Sequence, residues 1–414
     1  MNQMTAKGRD TKPHVGIFGR RNVGKSSLIN ALVGQDIAIV SDVAGTTTDP
    51  VKKSIEVHGL GPLIFIDTAG IDDTGSLGEL RIKKSMAALK LIDLAILVIT
   101  DNDFGDHETW LTEELGALDI PFVIVHNKSD LATVTDELRE KVRRLTGREV
   151  EEYSALHPEK YNHALLQKIR AVMPATALKS HGLIGDLVKP GDIVLLITPI
   201  DIEAPEGRLI LPQVQVIRDI LDNDCTAIVL KEREVDAFLR RTGVRPALVI
   251  TDSQVFLKAD ASIPRDIPLT SFSIVLARQK GDFAEYLRGT PKIGELKDGD
   301  RVLLLESCTH NVSCDDIGRV KIPRWLTNFT GKKLEFDTVA GLDGFPRPIE
   351  DYSLVIQCGG CMVTHRQLLN RLREPKKHSI PITNYGMAIA YVHGIFNRAT
   401  EPFTGRKENS EDLL

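Results

Sequence analysis

Four short apolar runs, each closing in turn residues, punctuate the first 130 positions: "HVGIFG", "PLIFIDTAG", "LAILVIT" and "PFVIVHNKSD". Amphipathic stretches such as "SLINALV" and "ELRIKKSMAALKLI" lie between them. Apolar runs alternating with helix-period stretches predict buried parallel strands with helices on both sheet faces. The pattern holds over residues 14–176. There "VMPATALKSHGLIGDLVKPGD" mixes Pro, Gly and polar residues, and a domain junction is expected near 174–190. A second alternation follows: "IVLLITPID", "LILPQVQVIRDILDN", "CTAIVL", "REVDAFLRRTG" and "PALVITD". Spanning about 75 residues, it is small for an independent core and is expected to need a partner surface. A third block opens near "IPLTSFSIVLARQKGD", with a helix pattern around Phe283–Leu287, strands "DRVLLLES" and "YSLVIQ", and helix "RQLLNRLRE". No short-period repeat or low-complexity tract stands out.

The turn after the first run changes the picture from architecture to chemistry. "GRRNVGKSS" (Gly19–Ser27) follows a strand pattern and opens a helix pattern, the context in which G-x-x-x-x-G-K-S is a phosphate loop. Backbone N–H groups from Gly19 to Gly24 and the helix N-terminus, with Ser27 in its first turn, surround the phosphates. Lys25 places a cation on the β/γ oxygens, and the Ser26 hydroxyl ligates Mg²⁺. Asp67 in "DTAG" ends the next strand, where it can hold Mg²⁺ through water, and the Gly70 amide can sense the γ-phosphate. In "AGTTTDP", Thr47 is the expected switch threonine on Mg²⁺, with Thr46 or Thr48 as register alternatives.

"NKSD" (Asn127, Lys128, Ser129, Asp130) ends a later strand, and the Asp130 carboxylate can accept both hydrogens on guanine's Watson–Crick edge. Adenine offers no such pair, so rejection could reach roughly 10⁴-fold. Ser154–Ala155 sits where a backbone amide would meet the guanine carbonyl. These motifs resemble the GTPase branch that includes Era, the tRNA-modification GTPase TrmE and EngA. Asn22 matches the asparagine that coordinates K⁺ in potassium-stimulated members. Ile71 stands where Ras-type enzymes carry a water-orienting Gln. The resemblance implies slow, K⁺-assisted GTP hydrolysis that is regulatory rather than metabolic.

Composition narrows the partners. The chain has 414 residues, 42% hydrophobic and 26% charged, with a formal net charge of −5. That balance argues against nucleic acid, whose phosphates need a concentrated basic surface. No run approaches the roughly 20 apolar residues that span a bilayer. The polar start "MNQMTAKGRDTKP" lacks a signal-peptide core, so a cytoplasmic location is expected. The five cysteines are Cys225, Cys308, Cys314, Cys358 and Cys361. An odd count argues against a disulfide framework, and four of the five lie after residue 300. Cys225, ahead of a β-branched run, reads as a small buried residue.

Two strand patterns of the third block end in candidate ligands. "DRVLLLES" runs into Cys308-Thr309-His310, and "YSLVIQ" runs into Cys358-Gly359-Gly360-Cys361. If both strands lie parallel in one sheet, their C-terminal ends meet at one edge, where α/β folds place ligands. Cys308, His310, Cys358 and Cys361 would suit a closed zinc site. Three thiolates would equally hold a [4Fe–4S] cluster, and C-x-x-C can also be a redox dithiol. Spacing leaves these open.

The combination of a potassium-type GTPase front, a small middle α/β domain and a C-terminal C-x-H…C-G-G-C pattern resembles HydF, the maturation GTPase family of [FeFe]-hydrogenase. The likeness runs along essentially the whole chain. It implies an α/β chain with three parts: a P-loop GTPase domain over 1–178 and two further small α/β domains, for dimerisation (179–263) and for the iron–sulfur cluster (264–414). It implies GTP, Mg²⁺ and K⁺ at the front, and a [4Fe–4S] cluster on Cys308, Cys358 and Cys361, with His310 matching the family's C-x-H histidine. It further implies a homodimer that carries the precursor of the diiron subcluster. The partners would be the hydrogenase apoprotein and the radical S-adenosylmethionine maturases HydE and HydG, with no nucleic acid or membrane. Many family members carry His directly before C-G-G-C, where this chain has Gln357, so the fourth iron position is unassigned. The reading from a different class is a ribosome- or RNA-associated GTPase like Era with a C-terminal zinc module.

Overall fold

The computed structural model describes residues 12–33, 51–57, 60–67, 86, 88–174, 182–199, 209–307, 316–341, 343–361 and 363–405. They fall into two compact units, one within 9–179 and the other within 180–414.

In the first unit β1 (His14–Phe18), β2 (Val51–Val57), β3 (Gly61–Asp67), β4 (Leu94–Ile99), β5 (Phe122–His126) and β6 (Val150–Glu152) form one sheet. Its order is β2-β3-β1-β4-β5-β6. Successive strand side chains point to opposite faces, so the continuous apolar runs supply two cores at once. Ile64, Ile66, Leu97 and Ile99 pack on one face with Leu111 and Leu115 of α2 (Asp106–Ala117) and Leu138 and Val142 of α3 (Asp136–Thr146). Val15, Ile17, Ile96 and Val98 pack on the other with Leu28 and Ile29 of α1 (Lys25–Val33) and Leu165 and Ile169 of α4 (Pro158–Val172). The pairs β1–β3, β1–β4, β4–β5 and β5–β6 are parallel, as the run pattern predicts. Strand β2 departs from it: the chain returns from β2 to β3 within three residues, too few for a crossover, so this edge pair is antiparallel.

The second unit holds two sheets. The first takes β7 (Ile193–Ile197), β8 (Thr226–Leu230), β9 (Leu248–Thr251) and β10 (Leu269–Ser271); the second takes β11 (Arg301–Leu305), β12 (Glu335–Val339), β13 (Leu354–Gln357) and β14 (Ile382–Asn384). Their orders, β10-β9-β7-β8 and β12-β11-β13-β14, are one topology written in opposite directions. All pairs are parallel, and the registers correspond. Ile197 faces Thr251 as Leu305 faces Gln357, and Ser271 faces Thr251 as Asn384 faces Gln357.

The likeness extends to the turns. Lys189 N donates to Asp192 Oδ2 (2.7 Å) as Lys297 N donates to Asp300 Oδ2 (2.8 Å), with Gly191 at φ +89° and Gly299 at φ +86° between them. The unit is an internal repeat with a period of more than a hundred residues. Its sequence trace is confined to short echoes, "KPGDIVLLI" against "KDGDRVLLL" and "IPLTSF" against "IPITNY". No short period accompanies it.

The helices of the first repeat are α5 (Leu211–Asp222), α6 (Val235–Thr242), α7 (Phe256–Ser262) and α8 (Phe272–Lys280); α9 (Phe283–Gly289) follows. The second repeat carries α10 (Ile322–Thr330), α11 (His365–Lys377) and α12 (Tyr385–Val392), and α13 (Phe396–Thr404) comes last. The two repeats meet where α8 crosses α12. Ser273 and Gly386 hold corresponding positions and touch each other, the sign of a pseudo-two-fold arrangement. Gly386 N donates to Ser273 Oγ (3.1 Å), and a Cβ on Gly386 would lie 2.8 Å from Ser273 Cβ. One core cluster draws Ile197, Val249, Leu269 and Ile274 from the first repeat and Leu303, Val355, Leu368 and Met387 from the second. Part of the partner surface expected for the small middle block is thus its neighbour in the same chain. Strand β10 pairs with β9, so residues past the expected division at 264 still contribute to the middle sheet.

Candidate functional sites

The C-terminal edge of the first sheet gathers the nucleotide motifs. The phosphate loop joins β1 to α1, beginning at Gly19. Lys25 Nζ donates to Gly19 O (2.9 Å) and Arg20 O (2.7 Å), which holds the ammonium inside the loop. Gly24 has φ +88°, and a Cβ there would lie 2.3 Å from Asn127 Nδ2, so glycine is required on both backbone and steric grounds. Asn127 Nδ2 donates to Val23 O (2.9 Å), tying the NKSD loop to the phosphate loop. Asn22 is exposed with φ +64°, a left-handed conformation that Asn tolerates better than most residues. Ser26 and Ser27 are exposed on the first turn of α1.

At the base end, Lys128 also takes positive φ (+59°), and Ser129 N donates to Tyr153 O (3.0 Å), which brings NKSD against the segment after β6. The buried Ser154 hydroxyl donates to the exposed Asp130 carboxylate. That bond holds the Asp130 carboxyl below its ordinary value, so it stays ionised as an acceptor. The structure gives Ser154 a side-chain task beside the backbone one expected of it. Ala155 follows it, half-buried. Asp67 ends β3; its side chain, with Thr46, Thr47, Thr48, Gly70 and Ile71, lies outside the described residues.

One residue pair escapes sequence reading. Arg20 of the phosphate loop makes a two-pronged pair with Glu108 of α2, Nε to Oε1 at 2.9 Å and Nη2 to Oε2 at 2.7 Å, and also pairs with Asp103. Glu108 is buried and additionally accepts from Gly105 N. Its hydrogen bond with Arg20 raises the guanidinium's pKa. A glutamate in a helix's first turn ordinarily reads as a solvated dipole partner, and nothing local announces an arginine 88 positions away.

The second edge lies at the ends of β11 and β13, which are neighbouring parallel strands, so the condition for convergence of the cysteine segments is met for the described part. Cys358 N donates to Leu305 O (2.9 Å), and Ser307 N donates to Cys358 Sγ (3.1 Å). Gln357 is fully buried beside them. Its Nε2 donates to Ser307 Oγ (3.2 Å), Leu305 O (3.3 Å), Cys358 O (3.2 Å) and Cys358 Sγ (3.4 Å). Its Oε1 is buried with no partner among the described residues. Arg371 of α11 closes the floor, donating to Glu306 O (2.6 Å) and Val339 O (2.7 Å), and burial lowers its pKa.

Soft sulfur donors met by backbone N–H are the chemistry of iron–sulfur and zinc–thiolate sites. Cys358 and Cys361, half-buried either side of two glycines, fit such a group. Cys308, His310 and Cys314 lie outside the described residues, and among the described ones no group of three or more His, Cys, Asp or Glu could hold a metal ion. Cys225 is buried, donates to Lys189 O (3.1 Å), and has its pKa raised by burial, as its sequence context predicts. Half-buried Arg319 pairs with the buried Glu306 (2.8 Å), and Arg301 pairs with Glu335 at the opposite end of β11. No helix among the described residues is long and apolar enough to cross a membrane.

Family comparison follows the repeat. The hydrogen maturase F dimerization domain matches residues 183–281, and the hydrogen maturase F tetramerization domain matches residues 284–402. Each takes one repeat, and together they take in more than half of the chain. The chain belongs to the hydrogen maturase F family. A third match, the 50S ribosome-binding GTPase model over residues 14–128, gives this hydrogen maturase F chain a GTPase domain ahead of two self-association domains.

Among curated proteins, the tRNA modification GTPase MnmE of Hydrogenovibrio crunogenus is 40% identical over 125 residues, covering 30% of this chain and 28% of that protein. MnmE of Bacillus subtilis is 37% identical over 174 residues, covering 41% and 36%. The chain thus spans about a quarter to a third of the length of these relatives. Among solved structures, the G domain of the T. maritima FeoB iron transporter is 24% identical, with a TM-score of 0.30, covering 39% of this chain and 98% of that one. Aquifex aeolicus Era bound to GDP and AlF4⁻ is 22% identical, with a TM-score of 0.31, covering 56% and 98%.

Proposed function

We propose that this chain is a GTP-hydrolysing scaffold that holds a [4Fe–4S] cluster and carries the precursor of the diiron subcluster to [FeFe]-hydrogenase. The observation that carries the reading is the Ser307 N–H donated to Cys358 Sγ at the shared end of two parallel strands. Such a bond stabilises a metal-bound thiolate and lowers its electron density. Cys308, Cys358 and Cys361 are the proposed thiolate ligands. Gln357 is held through its amide nitrogen by Ser307, Leu305 and Cys358, and an amide oxygen is a far poorer iron ligand than imidazole, so the fourth iron is left to His310 or to an exchangeable ligand. An exchangeable position suits a carrier, since cargo could bridge there and later leave.

At the other site Ser26, Thr47 and Asp67 would hold Mg²⁺, Lys25 and the loop amides would hold the phosphates, and Asn22 would help hold K⁺. A cation there offsets charge that an apolar Ile71 cannot. Nucleotide state would then bias contacts with the hydrogenase and the radical S-adenosylmethionine maturases HydE and HydG, the usual work of switch loops. The carrier would act as a homodimer or a larger assembly of copies.

Protein purified without oxygen is expected to be brown, with about four irons per chain and faster GTP hydrolysis in K⁺ than in Na⁺. Colourless protein with one zinc per chain would overturn the cluster reading.

A further inference from the structure

Helix α8 of the first repeat forms a wall of the cysteine loop of the second. Ser273, Leu276 and Lys280 lie at i, i+3 and i+7 and share one helix face. A Cβ on Gly359 would find Leu276 Cδ1 and Ser273 Oγ each at 3.7 Å. Lys280, at the last turn of that face, is 6% exposed. Its Nζ donates to Gly360 O (3.0 Å), Val363 O (3.0 Å) and Cys361 O (3.4 Å). Lysine is rarely buried this far, and a buried ammonium needs compensating acceptors. Here these three come from the loop that carries Cys361. The corresponding position of the second repeat is His393, which packs edge-on against Trp325 instead, so the contact is not a product of the shared topology.

We infer that Lys280 is a positioning residue for the cluster proposed above, and the inference rests on that reading. Its ammonium draws the Gly360 carbonyl to its own side. Because a trans peptide points C=O and N–H in opposite directions, the Cys361 N–H is turned away from it. The loop is thereby locked in one shape, with a positive charge held against the backbone of Gly360 and Cys361. That charge favours the more negative state when the cluster passes from 2+ to 1+ by taking one electron, here from dithionite. At an effective dielectric of about 20, a unit charge roughly 12 Å from the reducible centre changes such an equilibrium on the order of tenfold.

The test compares full-length wild type with Lys280→Met and Lys280→Arg, each loaded anaerobically with iron and sulfide. Each is then titrated with dithionite and followed by electron paramagnetic resonance. At the wild-type midpoint the Met variant is expected to show a reduced-to-oxidised ratio about tenfold lower, equivalent to ~59 mV for one electron. The Arg variant is expected within about twofold of wild type, since it keeps the charge. A Met variant that titrates with wild type overturns the role of Lys280 and leaves the cluster standing; a wild type that takes up no iron overturns both. If the Met variant does not fold, amine acylation of native wild type decides. Lys280 is expected to react at least about tenfold more slowly than exposed lysines, and equal reactivity overturns the clamp.

Discussion

The two repeats of the second unit use the same four-strand topology to end in different chemistry. Thr198 N meets Leu230 O as Glu306 N meets Val339 O, and Asp252 N meets Ile197 O as Cys358 N meets Leu305 O. One residue further on they part. The first repeat has Pro199 where the second has Ser307, so the N–H that reaches Cys358 Sγ has no counterpart. Asp252, at the place of Cys358, turns its carboxylate inward to cap the following turn at Gln254 N (2.9 Å). At one edge a carboxylate caps its own chain, and the other presents sulfur with a donor aimed at it. A parallel edge supplies a location, and a few residues just past the strand ends decide what is done there.

The comparison can be broken most sharply at the sulfur. Cys358→Ala is expected to leave no iron bound after anaerobic purification, while Asp252→Ala at the corresponding position keeps wild-type iron content; loss of iron in both would erase the distinction. At the third parallel edge, the nucleotide one, Asp130→Asn is expected to lower discrimination for GTP over ATP by roughly 10²-fold or more. Competition binding measures this, and iron content should not change. Ser307→Pro copies the first repeat into the second and is expected to weaken iron retention against a chelator by roughly 10–100-fold. Ser307→Ala, which keeps the N–H, should lose far less. The smallest effect tests the crossing of the repeats. Gly386→Ala forces a methyl to 2.8 Å from Ser273 Cβ and is expected to cost about 1–3 kcal/mol in urea unfolding of the metal-free protein.

Legibility in the sequence followed the distance between cooperating residues. The phosphate loop, NKSD and the strand that precedes each could be read directly, because four to eight neighbouring residues do one job together. The alternation of apolar runs and amphipathic stretches likewise announced parallel sheets. The antiparallel β2 was not foreseen, since a run pattern does not report how short a connection will be. The repeat was hidden because its copies share backbone register far more than side chains. Packing tolerates any apolar residue of suitable volume, so only the turn into the first strand, that strand itself and the approach to the last strand kept an echo.

By itself the sequence determined which chemistry is possible: a guanine nucleotide at the front, sulfur ligation near the end, and α/β layers throughout. Those follow from local covalent order, since a glycine-rich turn or a C-x-x-C pair carries its own spacing wherever it folds. The tertiary structure decided which residues support that chemistry. Arg20 meets Glu108 across 88 positions, Ser307 reaches Cys358 across 51, and Lys280 reaches Gly360 across 80. Such pairs leave no local pattern, because their meeting is set by strand order and helix crossing rather than by chain neighbours.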